Sequence, residues 1–477
     1  MRRIVAPVII IVTLLAYLAG QKTNPPGFYI DESSIAFNAF CIAKHGNDEW
    51  GVKWPLYFAA FGEYKNPTYI YLLAAVFKIF HPSNLVARRL SAILGYAAAA
   101  LIGVIAFAIS RKRWIAWTIF LLALATPMLF EISRLVFEVA LFPLVVAMFL
   151  FFAHRAYRSE RWSAGVIAGL TLSLALITYT YSTGRLLGAL FAVALFILND
   201  RRGAAIVLAA YIVVGIVPLM VFNHIHNGAL TARMKAISFL YLDAGKPLQQ
   251  IDTLEQQYIG NLMPLGMALK GDPNPRHHVP NSLGSIDLGI FVLAIASICL
   301  IVRTRSHERW WIFVLVLTAL SVLPASLTEG RYHELRLAPY PVMLLILAIP
   351  ALESGSRIVR VAVVAGLALC LVQAIFFFHV FAKDGADRPW DFDASYPEVM
   401  RVALAQPQRP IYLATSYVHA YWYAALHDIP YSTFQNAWPE PYIPPGGLVV
   451  GSVYWFHCDD CAVVYKKQEF AVWLKNK

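Results

Sequence analysis

Two adjacent carboxylates, Asp31 and Glu32, follow the first apolar stretch of the chain by about eleven residues. They precede Ser33 and Ser34 at the start of a short helical pattern, where the free backbone amides favour the ionised form of a carboxylate. An ionised carboxylate in such a place can accept a proton from a hydroxyl nucleophile. The alternative is that Asp31 only caps the helix, because capping by Asp is common.

A set of basic residues falls at the ends of apolar stretches on the same side of the chain as Asp31, where short loops normally avoid positive charge. The set consists of Lys65, Arg134, Arg185, Arg331 and Arg336. Because Lys and Arg bind phosphate by charge-assisted hydrogen bonds, these side chains are candidates for a phosphate site. Each of them could instead pair with a nearby acid or with lipid phosphate.

The composition indicates that membrane helices position these residues. Of the 477 residues, 59% are hydrophobic and 14% are charged, whereas a soluble domain carries about 25% charge. A cytosolic enzyme, a disordered tail and a nucleic-acid module are therefore disfavoured. A helical span needs about 20 mostly apolar residues. The sequence predicts eleven spans, at approximately 4–20, 85–110, 114–130, 136–153, 162–180, 186–199, 204–222, 286–302, 310–327, 337–352 and 358–381.

Arg and Lys residues in the short connections predict the orientation of these spans. One set of alternate ends holds 15 basic and four acidic residues of the 39 and 28 in the chain, which leaves 24 of each elsewhere. The whole excess of +11 thus lies on one side, which we predict to be cytoplasmic. This asymmetry removes the need for a nucleic acid or another polyanionic partner. We expect the N-terminus inside and the C-terminus outside.

The predicted fold class is an all-α polytopic membrane domain with a small extracytoplasmic C-terminal α/β domain. Residues 1–382 form the membrane domain, with outer loops at 21–84 and 223–285, and residues 383–477 form the soluble domain. In the latter, 411–414 and 448–454 are typical of strands and 395–405 of a helix. The segments 35–43 and 69–80 are predicted to lie as short helices in the membrane interface.

The first outer loop carries a series of motifs from about Tyr29 to Gly95. They include Asp31-Glu32, Asn38-Ala39, His45-Gly46-Asn47-Asp48-Glu49-Trp50-Gly51, Phe61-Gly62-Glu63-Tyr64-Lys65-Asn66-Pro67 and Arg88-Arg89-Leu90-Ser91. The series resembles the first extracytoplasmic loop of GT-C glycosyltransferases, specifically the bacterial relatives of protein O-mannosyltransferases and lipid A aminoarabinose transferases. The resemblance continues more loosely to about residue 350. Many relatives have Lys-Pro-Pro around position 66, where this chain has Asn66, Pro67 and Thr68.

The resemblance implies an inverting transfer of a hexosyl or pentosyl group from a polyprenyl-phosphate donor to an acceptor hydroxyl, on the outer face of a bacterial inner membrane. Asp31 matches the general base, and Glu32 would orient it or bind the acceptor. The basic set named above would hold the donor phosphate. Candidates for binding the sugar or the acceptor, which would be a glycan, lipid or protein, are Asp48, Glu49, Tyr64, Tyr332 and His333.

Metal and cysteine patterns are weaker. Glu32, His45, Asp48 and Glu49 match no defined metal loop, so we assign no metal, although a divalent cation stays open as a cofactor. Cys458 and Cys461 favour a disulfide in an oxidising compartment, because a zinc site would need two more ligands and a redox site a thioredoxin-like setting. The second outer loop, with its run Asp272-Pro273-Asn274-Pro275-Arg276-His277-His278, is interpreted as a mobile cover of the substrate groove.

Two other classes of function compete with glycosyl transfer. A transporter or flippase for a lipid-linked or small solute would use the same charges as a pathway, but usually shows interrupted segments near the membrane midplane in two related halves. Here the charges cluster at the outer ends of spans. An assembly protein whose tail binds the cell wall would leave Asp31 and the outer arginines without a task.

Overall fold

Apolar helices make up most of the chain in the computed structural model, which describes residues 2–242, 245–305, 307–437 and 442–476. Five of them are long and apolar enough to cross a membrane: Asn84–Ser110, Glu138–Tyr157, Arg201–Ile225, Arg309–Ser326 and Arg357–Asp384. Six shorter apolar helices occupy the other predicted spans: Ala6–Leu18, Arg113–Ala125, Ala164–Thr180, Gly184–Ile197, Leu288–Thr304 and Pro339–Glu353. The chain is a multi-pass integral membrane protein with a mostly helical fold, as predicted.

The first half of the chain contains thirteen α-helices and one hairpin among its described residues. In order they are α1 (Arg2–Leu18), α2 (Ile30–His45), β1 (Phe58–Ala60), β2 (Glu63–Lys65), α3 (Pro67–Phe77), α4 (Asn84–Ser110), α5 (Arg113–Ala125), α6 (Pro127–Ile132), α7 (Phe142–Tyr157), α8 (Ala164–Thr180), α9 (Gly184–Ala194), α10 (Arg201–Tyr211), α11 (Val217–Ile225), α12 (Ala232–Ile237) and α13 (Phe239–Leu242). The antiparallel β1–β2 pair lies in the first outer loop and departs from the all-α prediction for this part.

The second half completes the helical part and adds a sheet. Its elements are α14 (Pro247–Leu262), α15 (Pro264–Leu269), α16 (Leu288–Thr304), α17 (Arg309–Ser321), α18 (Leu323–Ser326), α19 (Glu334–Leu337), α20 (Pro339–Leu347), α21 (Ile349–Glu353), α22 (Arg357–Asp384), α23 (Tyr396–Ala405), β3 (Ile411–Ala414), α24 (Tyr417–Leu426), β4 (Phe434–Asn436), β5 (Leu448–Ser452), β6 (Cys461–Lys467) and β7 (Phe470–Lys475).

Proline divides several of the predicted spans. The predicted span 114–130 ends as a regular helix at Ala125, because Pro127 lacks a backbone N–H and disfavours helical geometry in the residue before it. A new short helix, α6, then begins with Pro127 in its first turn, where the missing N–H costs nothing. The same break sets Glu131 and Arg134 at the outer end of the helical bundle.

The helix that carries Asp31 and Glu32 is longer and more deeply buried than the sequence predicts. It extends from Ile30 to His45 and ends at Gly46, whose φ of 73° suits a left-handed helix cap. Asn38 is fully buried and donates a hydrogen bond to Glu49 of the following turn. Helix α24 of the C-terminal part also covers α2, with Phe37 packing edge-on against Tyr421. The helix therefore lies between protein layers, and its place in the membrane interface remains a prediction.

The C-terminal part contains a five-stranded mixed sheet of order β4-β3-β5-β7-β6. β3 pairs in parallel with β4 and β5, whereas β7 is antiparallel to β5 and β6. Strand β3 and the helix α23 lie where the sequence predicts them. A disulfide joins Cys458 to Cys461 at the start of β6. The division of the chain into domains at residue 382 remains a prediction.

Candidate functional site

A polar cavity of about 470 Å³ lies at one set of helix ends and brings together residues from distant parts of the chain. Its wall includes the first turn of α2, the β1–β2 hairpin, the start of α9 and the segments 229–237, 274–277 and 333–336. Six of the residues predicted from sequence line this cavity: Asp31, Tyr64, Lys65, Arg185, His333 and Arg336.

Asp31 and Lys65 form an ion pair inside this cavity. Lys65 Nζ donates a hydrogen bond to Asp31 Oδ1 at 2.5 Å, and the Asp31 side chain keeps 36% of its surface exposed. Burial raises the pKa of Asp31, but the charge and hydrogen bond of Lys65 outweigh this effect and lower it overall. Burial likewise lowers the pKa of Lys65, and the charges of Asp31 and Glu138 reverse this effect and raise it overall. Both groups are therefore charged at neutral pH.

Positive charge dominates the described wall of the cavity, which contains five basic residues and three acids. The basic residues are Lys65, Arg185, Arg233, Arg276 and Arg336, and the acids are Asp31, Glu63 and Glu138. Only the Arg233–Glu63 pair, at 2.9 Å, is largely solvent-exposed. The cavity thus holds more cations than carboxylates, which suits an anionic ligand.

Each arginine of the wall is held by backbone or neutral groups and not by a carboxylate, Arg233 excepted. Arg185 donates to the Leu230 carbonyl at 2.7 Å and to Asn66 Oδ1 at 3.1 Å. Arg336 donates to Thr328 Oγ1 at 2.7 Å and to the Glu329 carbonyl at 2.9 Å. Because such partners orient a guanidinium without neutralising it, its charge remains available to a ligand.

Arg276 and Tyr29 form another edge of the cavity. Arg276 Nη1 donates to the Tyr29 hydroxyl at 2.9 Å, and the guanidinium lies 4.1 Å from the centre of the tyrosine ring. Sequence reasoning did not assign Arg276, Arg233, Glu63 or Glu138 to a site. The signal that was available for Arg233 and Arg276 is positive charge in a predicted outer loop, the same criterion that selected Arg185 and Arg336.

Glu32 does not line the cavity, so its role beside Asp31 remains a prediction. It is fully buried and accepts hydrogen bonds from Arg88 Nε at 3.1 Å and Nη2 at 2.8 Å. The backbone amides of Tyr29 and Val136 also donate to it. Glu32 therefore ties α2 to α4 and to the segment before α7, and its carboxylate has no free face for an acceptor.

Two predicted phosphate ligands also lie outside the cavity wall. Arg134 is buried and donates to the carbonyls of Ala19 and Tyr17, with its guanidinium 4.4 Å from the centre of the Phe130 ring. Arg331 is exposed and reaches Gln256 Oε1 at 3.4 Å on α14. Arg134 thus secures the end of α1, and Arg331 lies beside the cavity rather than in it.

Three of the predicted sugar or acceptor ligands have structural partners instead. Asp48 accepts from the backbone amides of Trp50 and Val52 within its own turn. Glu49 is bonded to Asn38 Nδ2 at 2.9 Å, and burial raises its pKa to about 7. The hydroxyl of Tyr332 lies close against Gly266 of α15. Tyr64 and His333 are the members of the predicted set that line the cavity.

A possible metal-binding set differs from the one considered on sequence. Glu32, His45, Asp48 and Glu49 do not gather, because Glu32 is paired with Arg88 and Glu49 with Asn38. Asp272, His277 and His333 do gather: His277 Nδ1 and His333 Nδ1 lie 2.8 and 3.9 Å from Asp272 Oδ2. Two imidazoles and a carboxylate are a donor set that a divalent transition metal accepts, so these residues could hold a cation beside the cavity.

A second buried cluster consists of Glu131, His278 and Glu334. His278 Nδ1 lies 2.7 Å from Glu131 and 3.2 Å from Glu334, and so links α6 to the start of α19. Burial lowers the pKa of His278, but the two carboxylates raise it well above its usual value. These contacts hold His278 of the second outer loop against Glu334. Arg276 and Arg336, which line the cavity, each lie two residues from one of these side chains.

The fold is similar to that of several solved structures. Two structures of ArnT from Cupriavidus metallidurans, one apo and one bound to undecaprenyl phosphate, match with TM-scores of 0.64 and 0.62. Each is 13% identical in sequence; the apo alignment covers 99% of this chain and 98% of the other, and the complex covers 98% and 97%. The oligosaccharyltransferase of Archaeoglobus fulgidus matches with a TM-score of 0.53 at 13% identity, over 93% of this chain and 69% of that one. The chain thus shares its fold with ArnT and with this oligosaccharyltransferase.

Part of the chain also matches a family model in sequence. Residues 45–229 match the model of the dolichyl-phosphate-mannose-protein mannosyltransferases. This segment is therefore similar to that family. No curated protein matches the chain significantly in sequence.

Proposed function

We propose that this protein is an inverting glycosyltransferase that moves a sugar from a polyprenyl-phosphate donor to an acceptor hydroxyl on the outer face of the membrane. The observation that carries the proposal is that a partly exposed carboxylate, Asp31, shares a single cavity at the helix ends with five cations. A hydroxyl nucleophile needs a base, and a phosphate leaving group needs positive charge more than it needs a proton.

The basic wall accounts for binding of the donor. Lys65, Arg185, Arg276 and Arg336 surround a space in which a lipid-borne phosphate would meet several cations at once. Charge-assisted hydrogen bonds to phosphate are strong, particularly from a guanidinium that is already oriented. The same charges stabilise the free phosphate as it leaves the anomeric carbon.

The ion pair between Asp31 and Lys65 suggests how the base is prepared. While Lys65 is bonded to Asp31, the carboxylate is ionised but is a weak base. A donor phosphate would compete for Lys65 and draw its ammonium away from Asp31. The pKa of Asp31 would then rise, and the carboxylate would accept the proton of the acceptor hydroxyl as the hydroxyl attacks the anomeric carbon from the face opposite the phosphate.

The proposed location is the plasma membrane of a bacterium, with the cavity outside. The concentration of 15 basic residues at one set of span ends supports this orientation. Asp31 and the cavity lie at the opposite set of ends. The acceptor, which is a glycan, a lipid or a protein, would approach near Tyr64 and His333.

The proposal is tested with purified protein in lipid vesicles. Undecaprenyl phosphate should raise the thermal midpoint of the wild-type protein, and transfer from a polyprenyl-phosphate sugar should give a product whose anomeric configuration is opposite to that of the donor. Retention of configuration would contradict the proposed mechanism. Movement of the lipid-linked sugar between leaflets without transfer would instead favour the transporter alternative.

A further inference from the structure

The C-terminal part contacts the first turn of the helix that carries Asp31. Asp393 lies between α22 and α23, and its Oδ2 accepts a hydrogen bond from the backbone amide of Ile30 at 3.0 Å. Ile30 is the first residue of α2, so its amide has no partner within the helix. An acidic residue more than 360 positions away thus caps the helix immediately before the proposed base.

A histidine from α24 completes this contact. His419 Nε2 lies 2.9 Å from Asp393 Oδ2, and its Nδ1 lies 2.9 Å from Ser33 Oγ on the first turn of α2. Ser33 and His419 are buried, with 1% and 4% of their surfaces exposed. A neutral imidazole can donate to Asp393 and accept from Ser33 at the same time, so one chain of hydrogen bonds connects Asp393, His419 and Ser33.

Backbone packing at the same place leaves little freedom. Gly27 has a φ of +64°, and a Cβ atom built on it would lie 2.2 Å from the carbonyl oxygen of Phe392. The segment before α2 is therefore pressed directly against the segment that carries Asp393. Farther along α2, Phe37 packs against Tyr421 and Tyr431, and Trp422 Nε1 donates to Asn84 Oδ1 at the start of α4.

We infer that Asp393 and His419 are positioning residues for glycosyl transfer: together with Ser33 they form a clamp that fixes the first turn of α2 and thereby the direction of Asp31. The inference rests on the proposed role of Asp31 as the base. The C-terminal part would then contribute to the reaction by positioning Asp31. Because a displacement of about 1 Å in a reacting group can cost about a hundredfold in rate, a loosened first turn should be measurable in turnover.

Asp393→Gly is the decisive variant, because Asp393 has a positive φ of 51° that glycine adopts without strain. Asp428→Gly is its matched control: Asp428 also lies in the C-terminal part, has a φ of 53° and is exposed. We expect Asp393→Gly to lower kcat by about tenfold while the KM for donor changes less than about twofold. Asp393→Asn should restore turnover, since an amide oxygen can accept the same two hydrogen bonds.

Two further measurements separate positioning from general destabilisation. Amide hydrogen exchange of residues 30–34 should become faster in Asp393→Gly and in His419→Ala. It should not change in Asp428→Gly or in His427→Ala. The last variant is the control for His419→Ala, because His427 is an exposed histidine of the same region. In an Asp31→Asn background, Asp393→Gly should change the residual rate by less than about twofold, because the group that it positions is already lost.

Unchanged exchange in residues 30–34, or a full additional loss of rate in the Asp31→Asn background, would overturn the clamp. Failure of the proposed function is recognised differently. If wild-type protein transfers no sugar while exchange responds as expected, the clamp holds α2 and the assignment of Asp31 as a glycosyl-transfer base is wrong.

Discussion

At the scale of single residues, partners decide which charged groups remain free for chemistry. Asp31 and Glu32 are neighbours in sequence, yet Asp31 faces the cavity with 36% of its side chain exposed and Glu32 is fully buried against Arg88. The sequence cannot distinguish them, because both are acids in the first turn of the same helix. The difference arises from Arg88, which lies 56 residues later on α4.

Arg185 and Arg331 provide a matched test of donor binding. Arg185 lines the cavity, whereas Arg331 is exposed beside α14. We expect Arg185→Gln to weaken binding of undecaprenyl phosphate by about tenfold, the loss of a charged hydrogen bond of roughly 1.5 kcal/mol. Arg331→Gln should change the affinity by less than about twofold. Binding is measured by isothermal titration in detergent, and equal losses in the two variants would contradict the assignment.

Lys65→Met tests the electrostatic control of Asp31. Burial raises the pKa of Asp31, and Lys65 is what lowers it. Without the ammonium group, the pKa of Asp31 rises, so the carboxylate is protonated, and the activity lost, at a higher pH than in the wild type. The acid limb of the pH profile of kcat/KM for the donor, which reports the free enzyme in which Lys65 is paired with Asp31, should therefore move to higher pH. An unchanged limb, or one moved to lower pH, would show that Lys65 does not control the base.

At the scale of elements, the ion pair of Glu32 and Arg88 joins α2 to α4. Both side chains are at least 98% buried, and removing one partner of a buried pair typically costs about 3 kcal/mol or more. Glu32→Gln should therefore lower the thermal midpoint clearly, while the folded fraction keeps its turnover. Glu63→Gln, which removes an exposed pair with Arg233, should cost less than about 1 kcal/mol. A stable but inactive Glu32→Gln protein would restore the catalytic interpretation of Glu32.

Apolar length predicted the helical elements well, since the bilayer imposes it on any spanning helix. The burial of α2 was not predictable in this way. Much of α2 is covered by α24, nearly 400 residues later, and no pattern within α2 indicates that contact. The cavity was predicted only in part, also because of distant contacts. Charge in outer loops identified Arg185 and Arg336, but the backbone carbonyls that bind Arg134 outside the cavity wall lie more than 110 residues earlier, at the end of α1.

At the scale of the whole molecule, the charge distribution predicts the orientation in the membrane. A cysteine introduced at the exposed Lys466 of β6 should react with a membrane-impermeant maleimide in intact cells. A cysteine at Arg202, an exposed residue at the start of α10, should react only after the membrane is made permeable. The reverse labelling pattern would place the cavity in the cytoplasm and contradict the proposed topology.

The proposed glycosyl transfer depends on Asp31 acting as a base. The direct measurement is the turnover of purified, folded Asp31→Asn protein at saturating polyprenyl-phosphate sugar, beside Asp252→Asn, an exposed aspartate of α14, as control. Loss of a positioned base predicts a decrease in kcat of about a hundredfold or more for Asp31→Asn, with donor binding retained and the control unaffected. A decrease of less than about tenfold would contradict the central claim.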